Sequence, residues 1–356
     1  MPGPEIGDIA RNDEGLPMVE GRPRVKTVSV RLLGLVGALV ALAAVCVFSL
    51  IVGAEDIDIG TVWRLLWHDD GSEIAYIVRE LRFPRTVLGL AVGIALGLAG
   101  ALMQALTRNP LADPGLLGVE IGASTAVVVA ISFLGVTAPS GYVWFALLGA
   151  AVTAVAVYAL GASGRAATPD RMVLAGAAVT AALNAVVGII LLLDAETFDR
   201  FRFWVIGSLA GRGMDVFLEV SPLIAAGTGV ALLLARPLNA LALGEETGRA
   251  LGVRIGQVRL AGALAVTLLC GAATAAVGPV AFVGLAVPHA ARMITGPDHR
   301  WVLPYAAVLA PVLVVGSDVL GRVLGAPGEL QVGIVTAFLG APVFIALARR
   351  RRIAHL

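Results

Sequence analysis

Apolar residues come in long, nearly unbroken runs, separated by short polar segments rich in arginine, glycine and proline. A helix needs about 20 mainly apolar residues to cross the hydrocarbon core of a bilayer. Runs of this kind cover residues 32–52, 86–106, 116–134, 142–161 and 172–193, then 222–235, 260–278, 280–294, 301–316 and 332–348. The pattern predicts an all-α polytopic membrane protein with about ten transmembrane helices. The run at 280–294 is short and reads as a buried or broken helix. Residues 1–30 are polar, with glycine and proline, and read as a disordered cytoplasmic tail ahead of a membrane domain at 31–352. The tail does not read as a signal peptide, because the first apolar run is too long and lacks a small-residue cleavage pattern.

Loop charge orients these spans. With the N-terminus inside, the inner segments hold Arg22, Arg24, Lys26, Arg31 and the run Arg349 to Arg352, among others. The outer segments hold fewer, chiefly Arg64, Arg79, Arg82, Arg85, Arg200, Arg202, Arg212 and Arg322. The bias is roughly two to one and places both termini in the cytoplasm. Composition agrees with lipid as the solvent: 58% of the 356 residues are hydrophobic and 14% are charged, where a soluble domain carries about a quarter. The net charge of +1 gives no reason to expect a nucleic-acid partner.

Several chemistries are disfavoured. The chain has one lysine, Lys26, outside any G-x-x-x-x-G-K-[ST] context, so it carries no P-loop ATP site of its own. Cys46 and Cys270 lie in apolar runs without metal-ligand spacing, and read as small hydrophobes in helix packing. His289 stands alone within its run, so neither a metal site nor a catalytic group is expected. Ion-coupled transporters place ionisable residues near the bilayer midplane. Here Glu120 lies near the cytoplasmic end of its run, and Asp194 and Glu196 lie past an outer end. Asn184 is the main mid-span polar group and reads as a bridge between helices. No carbonyl or charged filter of the channel type stands out. A transporter without coupling charges draws its work from a partner.

Two local patterns sharpen this. Gly89, Gly93 and Gly97 recur every four residues on one helix face, which predicts close helix packing. The inner loop at 236–259 is long, and its Leu241, Leu243, Ala250 and Leu251 sit between polar residues. It reads as two short amphipathic helices with a turn near Gly244. By composition alone it serves equally as a helix pair lying on the lipid surface or as a docking element for a cytoplasmic partner.

Several further stretches carry a resemblance. They are Arg82-Phe83-Pro84-Arg85; Gln104 with Arg108-Asn109-Pro110-Leu111-Ala112-Asp113-Pro114 and Leu117-Gly118; and Trp204 with Gly207-Ser208-Leu209. Next come Leu243-Gly244-Glu245-Glu246-Thr247 with Leu251-Gly252-Val253, then Gly278 with Ala281-Phe282-Val283-Gly284-Leu285, Val287-Pro288-His289 and Arg292. Last are Asp318 with Arg322, and Gly340-Ala341-Pro342-Val343-Phe344. In this order and spacing the chain resembles the FecCD/BtuC-like permease family of ABC importers for iron–siderophores, haem and cobalamin. Two departures stand out. Glu329-Leu330-Gln331-Val332-Gly333 replaces the family's Glu-x-Pro-x-Gly, and Glu120 stands where a neutral polar residue is usual.

The resemblance implies a type II importer permease, with about ten helices in an inverted pseudo-repeat that is faint in this sequence. It implies a non-catalytic subunit that binds no cofactor, with ATP and Mg used by the partner ATPase. Expected partners are two cytoplasmic ATPase subunits, an extracytoplasmic substrate-binding protein, a second permease as homodimer or heterodimer, and membrane lipid. ATPase coupling falls to Leu241, Leu243, Gly244, Glu245, Glu246, Leu251 and Gly252. Docking of the binding protein falls to Arg82, Arg85 and Arg322, whose planar forks suit carboxylates. Arg322 also stands one helical turn after Asp318, so an internal pair is the competing role. The cargo implied is a ferric siderophore or similar chelate, with haem or cobalamin as alternatives.

Overall fold

The computed structural model describes residues 28–53, 56–136, 139–162 and 169–349, and no strand occurs among them. Residues 1–27 of the expected tail lie outside the described residues. In chain order the helices are α1 (Val28–Ile51), α2 (Ile59–Trp67), α3 (Glu73–Tyr76), α4 (Phe83–Thr107), α5 (Val119–Leu134), α6 (Pro139–Ala162), α7 (Pro169–Leu193) and α8 (Ala195–Val205). They continue as α9 (Met214–Leu233), α10 (Ala235–Ala242), α11 (Glu245–Ala250), α12 (Ile255–Val277), α13 (Val283–Thr295), α14 (His299–Leu324) and α15 (Val332–Arg349). A π-helical stretch, Ile77–Arg82, joins α3 to α4.

Each of the ten apolar runs falls on a helix: α1, α4 to α7, α9 and α12 to α15. Among the described residues, seven helices are long and apolar enough to cross a membrane. Two of the remaining three are visibly short. α5 has 16 residues, about 24 Å at the α-helical rise. α13 has 13, about 20 Å against a hydrocarbon core of about 30 Å. Backbone geometry explains α13. Gly278 (φ 81°) ends α12, and Phe282 (φ 68°) precedes α13, so residues 278–282 break the run instead of continuing it.

α4 forms the centre, with most of its length buried. Its glycine stripe packs on α14 as expected. A methyl group at Gly93 would overlap the backbone of Pro311, and one at Gly97 would overlap Ala306 and Ala310. Gly100 meets the backbone of Gly284 on α13 in the same way. Without a hydrophobic drive between helices in lipid, such close contact is a main source of association.

α1 and α7 lie at the periphery, each with 11% of its most apolar stretch buried. α1 exposes Leu33, Val36, Val40 and Phe48, which suits lipid. α7 exposes Ala177, Ala178, Ala181, Ala182 and Asn184. Asn184 therefore does not bridge helices within this chain; it sits on an outward face lined by small residues.

We call the end bearing α10 and α11 the inner end, and the opposite end the outer end, following the charge bias of the loops. α14 runs between them, with His299 at the inner end and Arg322 at the outer.

Candidate functional site: the outer mouth and the inner loop

The outer mouth is built where α1 stops. The last carbonyls of a helix have no partner within it, and two arginines supply one here. Arg82 Nη1 donates to Leu50 O (2.9 Å) and Ile51 O (2.6 Å). Arg322 Nη1 donates to Ser49 O and Val52 O, both at 2.9 Å, and its Nη2 donates to Ser49 Oγ at 2.8 Å. Cations at a helix C-terminus also oppose the negative end of its dipole.

Asp318 joins this cap to α4. It is almost fully buried and accepts from Arg85 Nη2 at 2.7 Å and Nε at 2.9 Å, and pairs with Arg322 at 3.2 Å. Arg85 Nη1 reaches Glu329 Oε2 at 2.8 Å. The structure thus brings Arg82, Arg85 and Arg322 together, but turns them inward. Arg82 and Arg322 are each 6% exposed, and the Asp318–Arg322 pair is made. Glu329, in the segment that departs from the family pattern, is drawn into this network, and α15 begins three residues later. Beside the network lies a cavity of about 550 Å³, lined also by Arg212, which the sequence reading did not single out.

The inner loop has the form expected of it. α10 and α11 meet at Gly244, whose φ of 105° is open to glycine and strained for other residues. Gly252 (φ 82°) closes α11 in the same manner. Leu243 is 65% exposed and Leu251 61%, two bulky apolar side chains flanking the turn. Glu246 is exposed. Two candidate residues behave otherwise. Leu241 is 1% exposed and belongs to the core, so it anchors α10 and offers nothing to a partner. Glu245 accepts from Arg259 at 2.5 Å and Arg249 at 3.1 Å, which spends its charge within the loop.

A clasp ties the loop to the membrane helices. Asn239 on α10 donates from Nδ2 to Asp298 Oδ1 at 2.6 Å. Its Oδ1 accepts from the His299 backbone N–H at 2.8 Å and lies 2.9 Å from His299 Nδ1. Asp298 also caps α14 through the Arg300 N–H at 3.0 Å. Asp298, just ahead of α14, carries a helix-capping signal that the sequence reading did not use. Asn239 carries none, because its partners lie about 60 residues away.

Between the two ends, Gln104 closes a gap that Pro288 opens. Proline has no N–H, so the carbonyl four residues earlier, Gly284, loses its helical donor. Gln104 Nε2 donates to Gly284 O at 3.3 Å and to Leu285 O at 3.2 Å, and Arg292 Nη2 donates to Gln104 Oε1. Among the described residues, no group of His, Cys, Asp and Glu is arranged to hold a metal ion.

A bundle of membrane helices with a polar mouth at one end and an exposed two-helix loop at the other defines a multi-pass transport protein. The chain belongs to the FecCD transport family, whose model matches residues 41–350. It is thus a permease subunit of an ABC importer family of the bacterial inner membrane, a class of subunit that is not itself catalytic. It is 45% identical over 323 residues to the ferric enterobactin transport system permease protein FepD of Escherichia coli, covering 90% of this chain and 96% of that one. It is 39% identical over 316 residues to the probable siderophore transport system permease protein YfiZ of Bacillus subtilis, covering 87% and 93%. With the hemin transport system permease protein HmuU of Yersinia pestis it shares 37% over 319 residues, covering 88% and 94%. Its fold superposes on a metal-chelate type ABC transporter in an inward-facing conformation with a TM-score of 0.79 and 25% identity, over 90% of this chain and 99% of that chain.

Proposed function

We propose that this chain forms the membrane path of an ATP-driven importer that carries a ferric siderophore into the cytoplasm. The observation that carries the ATP-driven part is the inner loop. Leu243 and Leu251 stand exposed around a glycine-fixed turn, and apolar anchors of that size favour a groove in a protein partner over water. That partner is a cytoplasmic ATPase, one per permease and two per complex, which binds and hydrolyses MgATP. Leu243, Leu251, Gly244, Gly252 and Glu246 form the docking face; Leu241 and Glu245 hold it in shape. Both termini lie in the cytoplasm.

An extracytoplasmic substrate-binding protein seats on the outer mouth, whose shape the inward-turned Arg82, Arg85 and Arg322 hold from beneath. A second permease, identical or related, covers α7. An exposed mid-span asparagine among alanines is poorly suited to lipid and well suited to a neighbouring helix or an aqueous path. The siderophore assignment is supported by the relatives at 45% and 39% identity, which are named for siderophores, ahead of the hemin permease at 37%. Competition uptake with labelled ferric siderophore, haem and cobalamin tests it. Transport of the siderophore alone is expected, and preferred uptake of haem or cobalamin would refute it.

A further inference from the structure

The outer cavity is asymmetric in charge. Arg82, Arg85, Arg212 and Arg322 line it, against Glu80 and Glu329. Three of these arginines each make at least two hydrogen bonds to the chain itself. Arg212 differs. Its Nε and Nη1 are buried and have no acceptor among the described residues. Asp215 and Tyr142 act on it only through space, and burial outweighs them, pulling the guanidinium below its ordinary range. Two buried guanidinium nitrogens without an acceptor are costly, and the cost is recovered when an oxyanion arrives.

The loop that carries Arg212 is held in place before any ligand enters. Ser208 N–H donates to Val277 O at 2.7 Å, and Ser208 Oγ accepts from Ala210 N–H at 3.1 Å. Gly207 (φ 80°) lies against the carbonyl of Pro279, where a side chain would not fit. The loop is therefore fixed to the end of α12, and Arg212 lines a ready-made space. That space, about 550 Å³, falls in the range of small-molecule sites, roughly 300–1,000 Å³. Part of its wall is apolar, from Ile77, Leu81 and Ala210. A single acidic side chain of a docking protein would leave most of it empty, whereas a lobe of a multidentate chelate fills it.

We propose that Arg212 is the cargo-receiving residue of the outer mouth, binding an oxyanion of a metal chelate, a catecholate or carboxylate oxygen, as the cargo leaves its carrier. The proposal rests on the importer reading. It makes the permease selective for negatively charged chelates, in addition to any selection by the binding protein.

The test uses the purified permease–ATPase complex in detergent without binding protein or ATP, so it stands apart from transport itself. Two probes are ⁵⁵Fe-labelled ferric tris-catecholate, a trianion, and ferric tris-hydroxamate, which is neutral. The expected result is that Arg212→Gln weakens tris-catecholate binding at least tenfold, Arg212→Lys weakens it less, and the tris-hydroxamate signal does not change. Affinity of Arg212→Gln for the binding protein should stay within twofold of wild type. Arg212→Lys keeps the charge and guards against a folding defect. Absence of tris-catecholate binding in the wild type, equal binding by Arg212→Gln, or a matching loss of binding-protein affinity would each overturn the assignment. If instead wild-type proteoliposomes showed no ATP-dependent uptake, the importer reading would fail and the binding result would stand by itself.

Discussion

The outer mouth and the inner loop hold their candidate residues in opposite ways. At the outer end, Asp318 and Arg322 are almost fully buried, and the neighbouring Arg82 and Arg85 are engaged by α1 carbonyls and by Asp318 and Glu329 respectively. At the inner end, Leu243, Leu251 and Glu246 project from the chain and touch little of it. Burial marks the first as architecture that shapes a mouth. Exposure marks the second as a surface awaiting a partner. Substitutions should therefore separate: outer-end changes lower stability, and inner-end changes lower association or coupling.

The largest effect is expected at Asp318. Asp318→Ala leaves the buried Arg322 guanidinium without its carboxylate and Arg85 with Glu329 alone, a loss of about 3–5 kcal/mol. Thermal denaturation of the purified protein in detergent should show it, and an unchanged midpoint would break the contrast. Gln104→Leu comes next. It orphans the Gly284 carbonyl and the buried Arg292 fork together, at about 1–3 kcal/mol, read in the same melt.

Asn239→Leu should cost only about 1 kcal/mol of stability but act on coupling, because α10 meets α14 through that side chain. In proteoliposomes, ATP consumed per chelate imported should rise several-fold while the ATPase still co-purifies. The exchange Asn239→Asp with Asp298→Asn rebuilds the hydrogen bond in reverse and should restore the ratio. An unchanged ratio in Asn239→Leu would remove the clasp from the transmission path. The smallest effect belongs to Glu245→Ala, since partly exposed ion pairs are worth about 0–1 kcal/mol. A shift in melting midpoint near the detection limit is expected.

The sequence showed what is written locally. Ten apolar runs mark ten helices, because span length and composition follow from bilayer thickness. The Gly89, Gly93 and Gly97 stripe showed its packing role, and the turn at Gly244 was readable from two amphipathic pieces around a glycine. Two limits have physical causes. Burial of Leu241 against exposure of Leu243 depends on how α10 sits on its neighbours, and a loop pattern holds no such information. The mouth joins Arg85 to Asp318 across 233 positions, so sequence alone placed its arginines on the outside without showing that they face inward. Only the Asp318–Arg322 pair, one turn apart on one helix, was accessible.

ATP-dependent accumulation of a ⁵⁵Fe-labelled ferric siderophore in proteoliposomes, for wild type and Leu243→Asp, tests the central claim most directly. The account predicts uptake by the wild type only when ATP is inside the vesicles with the ATPase and binding protein present. It predicts no uptake by Leu243→Asp, which keeps wild-type melting but no longer retains the ATPase. Uptake driven by an ion gradient without ATP, or undiminished uptake by Leu243→Asp, would contradict it.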